Sequence, residues 1–311
     1  MLKIYKSGGE GLLQEQSKIV QGSCVYLTEP SEEEIQYVVS HLGVPIDFIS
    51  DSLDIDERSR VEKNGNDFLM IVNVPIKMPN GEVIPYRTIP IGIIQTNDVI
   101  VIICRVNHPI LQEFSNILVK DIYPNMSASY ILQLLLVSAR YYLHCLDDID
   151  QKVIVSEKII QKSIKNSEVY TLLNINKSLV YFSKALKVNL VMLKKLSRVL
   201  NLEMNEEDEK RMQATFNEMQ QAFDTSQIYN ENLSNLMDAY SAAIEINLSV
   251  VVKVLTAFTI ILTFPTMVAT IYGMNFPLPK QDEEYALAVL MSISTVISLL
   301  TGWIFYKTKL F

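Results

Sequence analysis

Five threonines, at positions 256, 259, 263, 266 and 270, fall in steps of three and four inside a long apolar stretch. On a helix that spacing lines their hydroxyls up as one stripe. Continued upward the stripe meets Gly273; continued downward it meets Val252, Ser249 and Glu245. Hydroxyl oxygens in apolar surroundings suit two readings. Each threonine can back-bond to its own helix and pack against a neighbour, or the stripe can face water and offer oxygens along a hydrated path. One helix encloses nothing, so the second reading needs several copies around an axis, which closed cyclic symmetry supplies.

Other chemistry is sparse. The sequence holds no GxxxxGK[ST], GxGxxG or GxSxG, so no enzyme reading has a catalytic constellation behind it. Cys24, Cys104 and Cys145 are far apart without a CxxC, and His41, His108 and His144 show no ligand spacing. That argues against a structural zinc site or a disulfide framework. The run His144-Cys145-Leu146-Asp147-Asp148-Ile149-Asp150 has metal-capable side chains but reads as an exposed helix face. With 27 basic and 35 acidic residues the net charge is −8, which excludes a general nucleic-acid binder for want of surplus cations. Hydrophobic residues make up 49% of the 311, too many for disorder and high for a purely soluble protein.

The elements that position these residues follow from the helix breakers. Eight of the 10 glycines lie at or before Gly92 and eight of the 11 prolines at or before Pro124; residues 125–264 contain neither. Interior Pro costs a helix about 3 kcal/mol and Gly about 1, so that stretch reads as long helices, roughly 126–165, 168–200 and one starting at the acidic run Glu206–Glu209. From Met212 to Phe258 apolar residues recur in alternating steps of four and three, a heptad seam. The first 124 residues read as a cytoplasmic α/β domain. Ser23–Thr28 is a strand, Ser31 and Glu34 form a capping box, and residues 67–78, 85–95 and 98–106 form an antiparallel meander.

Residues 248–272 and 285–306 are each long and apolar enough to cross about 30 Å of hydrocarbon. The first carries one charge, Lys253; the second ends in Trp303, Phe305 and Tyr306, an aromatic belt, followed by Lys307 and Lys309. The positive-inside rule puts Lys253 and the C-terminus in the cytoplasm. The N-terminal region shows no signal peptide, so it is expected there too, with the short acidic linker facing outward.

The first span closes on Ile271-Tyr272-Gly273-Met274-Asn275-Phe276. This segment, in the longer stretch LTFPTMVATIYGMNF, resembles the CorA-type divalent metal-ion transporters, whose signature is Gly-Met-Asn at the end of the first of two C-terminal membrane helices. The resemblance is close over about the last 70 residues and architectural elsewhere. It implies a homopentamer with a funnel-shaped cytoplasmic part, and an α+β domain with an antiparallel or mixed sheet, very long helices and two membrane helices. The divisions expected are 1–124 (α/β domain), 125–247 (helical stalk), 248–275 (pore-lining helix), 276–284 (outer loop), 285–306 (second membrane helix) and 307–311 (basic tail).

The resemblance also assigns roles. Gly273, Met274 and Asn275 form the selectivity filter, with Tyr272 supporting it. Thr256, Thr259, Thr263, Thr266, Thr270 and Ser249 line the pore, and Val252 with Leu255 forms a hydrophobic gate. A ring of Asn275 carbonyls accepts hydrogen bonds from the waters that Mg²⁺ holds tightly, without binding too strongly to release it. Asp238, with Asp224 and Glu218, is the candidate set for regulatory Mg²⁺, although most acids on such a helix are simply solvated. Expected partners are divalent cations, lipid and other copies of the chain, with Mg²⁺ transported and regulatory and no organic cofactor. The function implied is potential-driven Mg²⁺ influx across the plasma membrane, Co²⁺ or Ni²⁺ also passing. Two alternatives stand beside it. One is a proton-coupled Zn²⁺ transporter of the same fold, against which Met274 argues; the other is a membrane-tethered cytoplasmic sensor. The outer loop departs from the family: Pro277-Leu278-Pro279-Lys280 follows Phe276, and the acids Asp282, Glu283 and Glu284 come later.

Overall fold

The computed structural model describes residues 1–7, 13–65, 67–79, 81–96, 99–116, 127–162, 166–200, 204–274 and 285–308. The chain divides into two compact units, Met1–Asn235 and Leu236–Phe311.

The first unit is built on seven strands: β1 (Leu2–Ser7), β2 (Leu13–Gln16), β3 (Ser23–Thr28), β4 (Arg60–Asn64), β5 (Asp67–Lys77), β6 (Tyr86–Thr96) and β7 (Val99–Cys104). They form one sheet in the order β2-β1-β3-β7-β6-β5-β4. The expected meander is β5, β6 and β7, paired antiparallel, and the sheet is mixed because β3 runs parallel to β7. Its two faces bury different helices. On one face α1 (Glu32–Leu42) and α2 (Ile46–Leu53) set Val38, Leu42, Phe48 and Ile49 against Leu69, Ile71, Val101 and Ile103. On the other, α3 (Pro109–Asn116), α4 (Ser127–Lys162) and α5 (Asn166–Leu200) set Ile110, Leu135 and Leu193 against Met70, Val72, Ile93 and Ile102. Alternate residues of a strand point to opposite faces, and covering both explains why β5 and β7 read as continuous apolar runs.

Local chemistry fixes several ends. Ser31 caps α1 in a capping box with Glu34, and Gly43 ends it in the left-handed conformation. Gly92 on β6 has a different reason to be glycine: an added Cβ would lie 1.9 Å from Ser52 Oγ, so α2 packs where only a bare backbone fits. β4 pairs with β5 only up to Ile71, which leaves Asn73, opposite Pro90 of β6 on its other side, without a β4 partner along a buried edge. Side chains complete the ladder. Ser59 Oγ (3.0 Å) and Asn189 Oδ1 (3.3 Å) accept from the Asn73 N–H, while Asn189 Nδ2 (2.8 Å) and Tyr142 Oη (2.9 Å) donate to its carbonyl. Asn189, on α5, thus acts as a one-residue strand and ties the helix to the sheet.

The third long helix, α6, runs Glu206–Tyr272. It opens as expected at the acidic run, with Asn205 Oδ1 accepting from the Asp208 N–H at 2.8 Å. Within the first unit its seam buries Met212, Thr215, Met219, Ala222, Ser226 and Leu233.

In the second unit α6 lies against α7 (Ala286–Lys307). Pro265 does not interrupt α6. Proline has no N–H to give the carbonyl four residues back, and that carbonyl, Ile261 O, accepts from Ser298 Oγ of α7 at 2.9 Å. Ser294, Ser298 and Gly302 recur at every fourth position on the face α7 turns inward, and the two serines are buried. Small residues of this kind let membrane helices approach closely.

Candidate functional site

Every hydroxyl of the threonine stripe donates to its own helix. Thr256, Thr259, Thr263, Thr266 and Thr270 bond the carbonyls of Val252, Leu255, Thr259, Leu262 and Thr266 at 2.7–2.9 Å. With the protons turned inward, the oxygen lone pairs face out. All five side chains are exposed. Alongside the stripe the covered residues of α6, Val254, Ala257, Ile261, Phe264, Pro265, Val268 and Tyr272, lie on the opposite side of the helix, where α7 packs. Back-bonding therefore holds for all five, but packing against α7 does not. Among the described residues nothing covers this face.

Below the threonines, Ser249, Val252 and Leu255 are exposed, Leu255 at 67%. Above them α6 ends where the Gly273 N–H bonds Ala269 O at 3.0 Å and the Met274 N–H bonds Ile271 O at 3.3 Å. Gly273 and Met274 are exposed and Tyr272 is half-buried. A Cβ on Gly273 would make only ordinary contacts, at 3.4 Å and beyond, so among the described residues nothing demands glycine there. Asn275 and the loop 276–284 lie outside the described residues. At the other end of α7 the Lys307 ammonium sits 5.2 Å above the Trp303 ring, a cation on an aromatic face as the basic end of the second span requires.

The acidic candidates are spread out. Asp238 is exposed; Asp224 accepts from Gln220 Nε2; Glu218 faces Arg140 at 3.6 Å. Among the described residues no group of three or more His, Cys, Asp and Glu is placed to hold a metal. The run His144–Asp150 is helical, but only His144 and Asp147 are exposed; Leu146 and Ile149 turn into the core and Asp150 is half-buried, because this stretch of α4 packs within the first unit rather than facing solvent throughout. Cys145 is buried, which pushes its thiol up to about 12. Asp148 is committed to Tyr86 Oη and to Lys77 and Lys152, and the tyrosine bond holds its carboxyl below the usual range.

Comparison with known proteins bears on the family and the fold. The family profile described as CorA-like Mg²⁺ transporter protein matches residues 25–307. The cobalt/magnesium transport protein CorA of Methanocaldococcus jannaschii is 23% identical over 285 residues, covering 90% of this chain and 88% of that protein. The complete structure of the CorA magnesium transporter from the same organism superposes with a TM-score of 0.84 at 21% identity, over 98% of this chain and 97% of that one. The full-length CmaX protein superposes with a TM-score of 0.76 at 13% identity, over 99% of this chain and 97% of that one. With a match spanning nearly the whole sequence, the chain belongs to the family of CorA-like Mg²⁺ transporter proteins.

Proposed function

We propose that the protein is a divalent-cation channel carrying Mg²⁺, and also Co²⁺ or Ni²⁺, into the cell down the membrane potential, as a homopentamer gated by intracellular Mg²⁺. The open, acceptor-only threonine face carries this reading. Five such faces around an axis make a wall of oxygen lone pairs that accept hydrogen bonds from a hydrated cation. In that assembly Thr256, Thr259, Thr263, Thr266, Thr270 and Ser249 line the path, and Val252 with Leu255 narrows it by dewetting. Gly273, Met274 and Asn275, backed by Tyr272, form the outer filter. Gly273 then has a reason to be glycine, since neighbouring copies approach where its side chain would stand. Both termini face the cytoplasm across the plasma membrane. Asp238, Asp224 and Glu218 remain the candidates for sensing internal Mg²⁺ between copies.

Ion influx into proteoliposomes tests the reading. Mg²⁺ entry that follows the membrane potential, ignores a pH gradient and is lost or broadened in Asn275→Ala is expected. Zn²⁺ entry requiring a proton gradient overturns it in favour of a coupled zinc transporter. No flux from folded protein overturns it in favour of a tethered sensor.

A further inference from the structure

A second site lies within the first unit, far along the sequence from the threonine stripe. A cleft of about 150 Å³ opens above the Asn73 edge, between the segment leading into β4, strand β6 and helix α5. Arg58, Arg87 and Lys184 line it. All three are exposed, and among the described residues none makes an ion pair. In a chain of net charge −8, three uncommitted cations around one cleft call for an explanation. Two carboxylates share the lining, Asp56 and Glu57. Glu57 is already held by Arg60 and accepts from the Arg58 main-chain N–H at 3.1 Å, so the balance in the cleft remains positive.

Tyr181 also lines the cleft. It stands one turn before Lys184 on α5 and is 40% exposed, leaving an aromatic face beside the cations. Thr88 adds a hydroxyl. The cleft base is rigid, because Ser59 and Asn73, which line it, belong to the buried network with Asn189. Ser59 Oγ donates to Asn189 Oδ1 at 2.5 Å, so those groups are satisfied without a ligand and the free capacity sits with the cations above them.

We propose that this cleft binds a nucleoside phosphate. Arg58, Arg87 and Lys184 take the phosphate oxygens, arginine by its paired donors and lysine as a point charge. The base stacks on Tyr181, and the Asp56 carboxylate accepts from a ribose hydroxyl. A bare phosphate uses only the cations, and a bare nucleoside only the ring and the carboxylate. The bound ligand touches both the sheet and α5, so it braces the junction that Asn189 makes. The site is independent of the ion path and stands whether or not the protein conducts Mg²⁺.

Isothermal titration of the full-length protein in detergent micelles tests this, with AMP, ADP, adenosine and inorganic phosphate each titrated at one fixed free Mg²⁺ concentration. Saturable binding of AMP or ADP is expected at or below about 1 mM, with adenosine and inorganic phosphate each roughly tenfold weaker. Arg87→Ala and Lys184→Ala should each weaken the nucleotide about tenfold. Tyr181→Ala should weaken the nucleotide and leave inorganic phosphate unchanged, and Tyr181→Phe should restore it. These side chains are exposed, so the variants are expected to fold, and an unchanged unfolding temperature checks that. Absence of nucleotide binding overturns the proposal, as does affinity unchanged in Arg87→Ala and Lys184→Ala. Inorganic phosphate binding as tightly as AMP overturns the nucleoside assignment, and adenosine binding as tightly as AMP overturns the role of the cations.

Discussion

Ser298 supplies the hydrogen-bond donor that Pro265 cannot. The carbonyl of Ile261 would be orphaned by the proline in the helix, and the serine hydroxyl of the neighbouring helix reaches it at 2.9 Å. In hydrocarbon an unsatisfied carbonyl is expensive, so the two residues should be energetically coupled. Ser298→Ala is expected to lower the unfolding temperature in detergent, by an effect on the order of 1 kcal/mol. In a Pro265→Ala background, where residue 265 regains its N–H, the same serine change should cost far less. Additive effects in the double-mutant cycle would show that the serine does not stand in for the missing N–H.

Gly302, one turn beyond Ser298, is less demanding than its place in the small-residue row suggests. A Cβ there would meet Ile261 Cδ1 at 3.5 Å, an ordinary contact. Gly302→Ala should leave thermal stability within about 0.5 kcal/mol of the parent, while Gly302→Leu should separate the helices and lower the unfolding temperature.

Gly92 should behave in the opposite way. Gly92→Ala forces a methyl into Ser52, whose Oγ and Cβ lie 1.9 and 2.3 Å from the new atom. Overpacking of this kind costs about 1–3 kcal/mol. Ser52→Gly removes both clashing atoms, so the pair Gly92→Ala with Ser52→Gly should recover part of the loss in chemical denaturation. If the double variant is no better than the single, the clash is not the cause.

His108 predicts a pH dependence with a definite sign. Its ring is fully buried; Nδ1 accepts from the Ile110 N–H at 3.1 Å, so Nε2 carries the proton and donates to Pro75 O at 2.8 Å. Burial lowers its pKa from 6.5 to about 4. The unfolded chain therefore takes up a proton that the folded chain refuses, and stability falls as pH drops from about 6.5 towards 4. The loss is on the order of 3 kcal/mol. His108→Gln, which keeps a donor towards Pro75, should flatten the unfolding temperature over that range. An unchanged slope would assign it to the carboxylates instead.

Thr263→Val tests the acceptor face without altering volume much. Under the channel reading it should reduce Mg²⁺ flux in proteoliposomes several-fold, and Thr263→Ser should retain it. Thr295→Val, which removes an exposed hydroxyl of the other helix, should leave flux unchanged. Equal effects at both positions would remove the special status of the stripe.

Much of this was legible from residue order. The capping box at Ser31, the β5–β7 meander, the two long helices after residue 125 and the threonine line are local patterns, and local patterns survive in the sequence. β1, β2 and β4 carry no such pattern. Lys3 and Lys6 interrupt the first, Gln14 and Glu15 the second, and Glu62 and Lys63 the third, and their strand character comes from neighbours rather than from their own composition. Asn189 and Ser298 were equally invisible. Each is a polar residue whose purpose is to complete another segment's main chain, and nothing in its own neighbourhood reveals that partner. The cationic cleft belongs with them, since Arg58, Arg87 and Lys184 meet only once β6 and α5 are side by side.

The parallel pair in the middle of the sheet has a consequence for how the protein is made. Cys24 of β3 pairs with Ile100 of β7, 76 residues further on. At translation rates of about 5–20 residues per second, β3 leaves the ribosome roughly 4–15 s before its central partner exists. The β5–β7 meander closes through contacts between sequence neighbours and should fold first. β3 then docks on the finished edge of β7. β1 can cover the other edge of β3 from the start, but until that moment the edge that will meet β7 has no partner, an exposed strand edge of the kind that invites wrong pairing in newly synthesised chains.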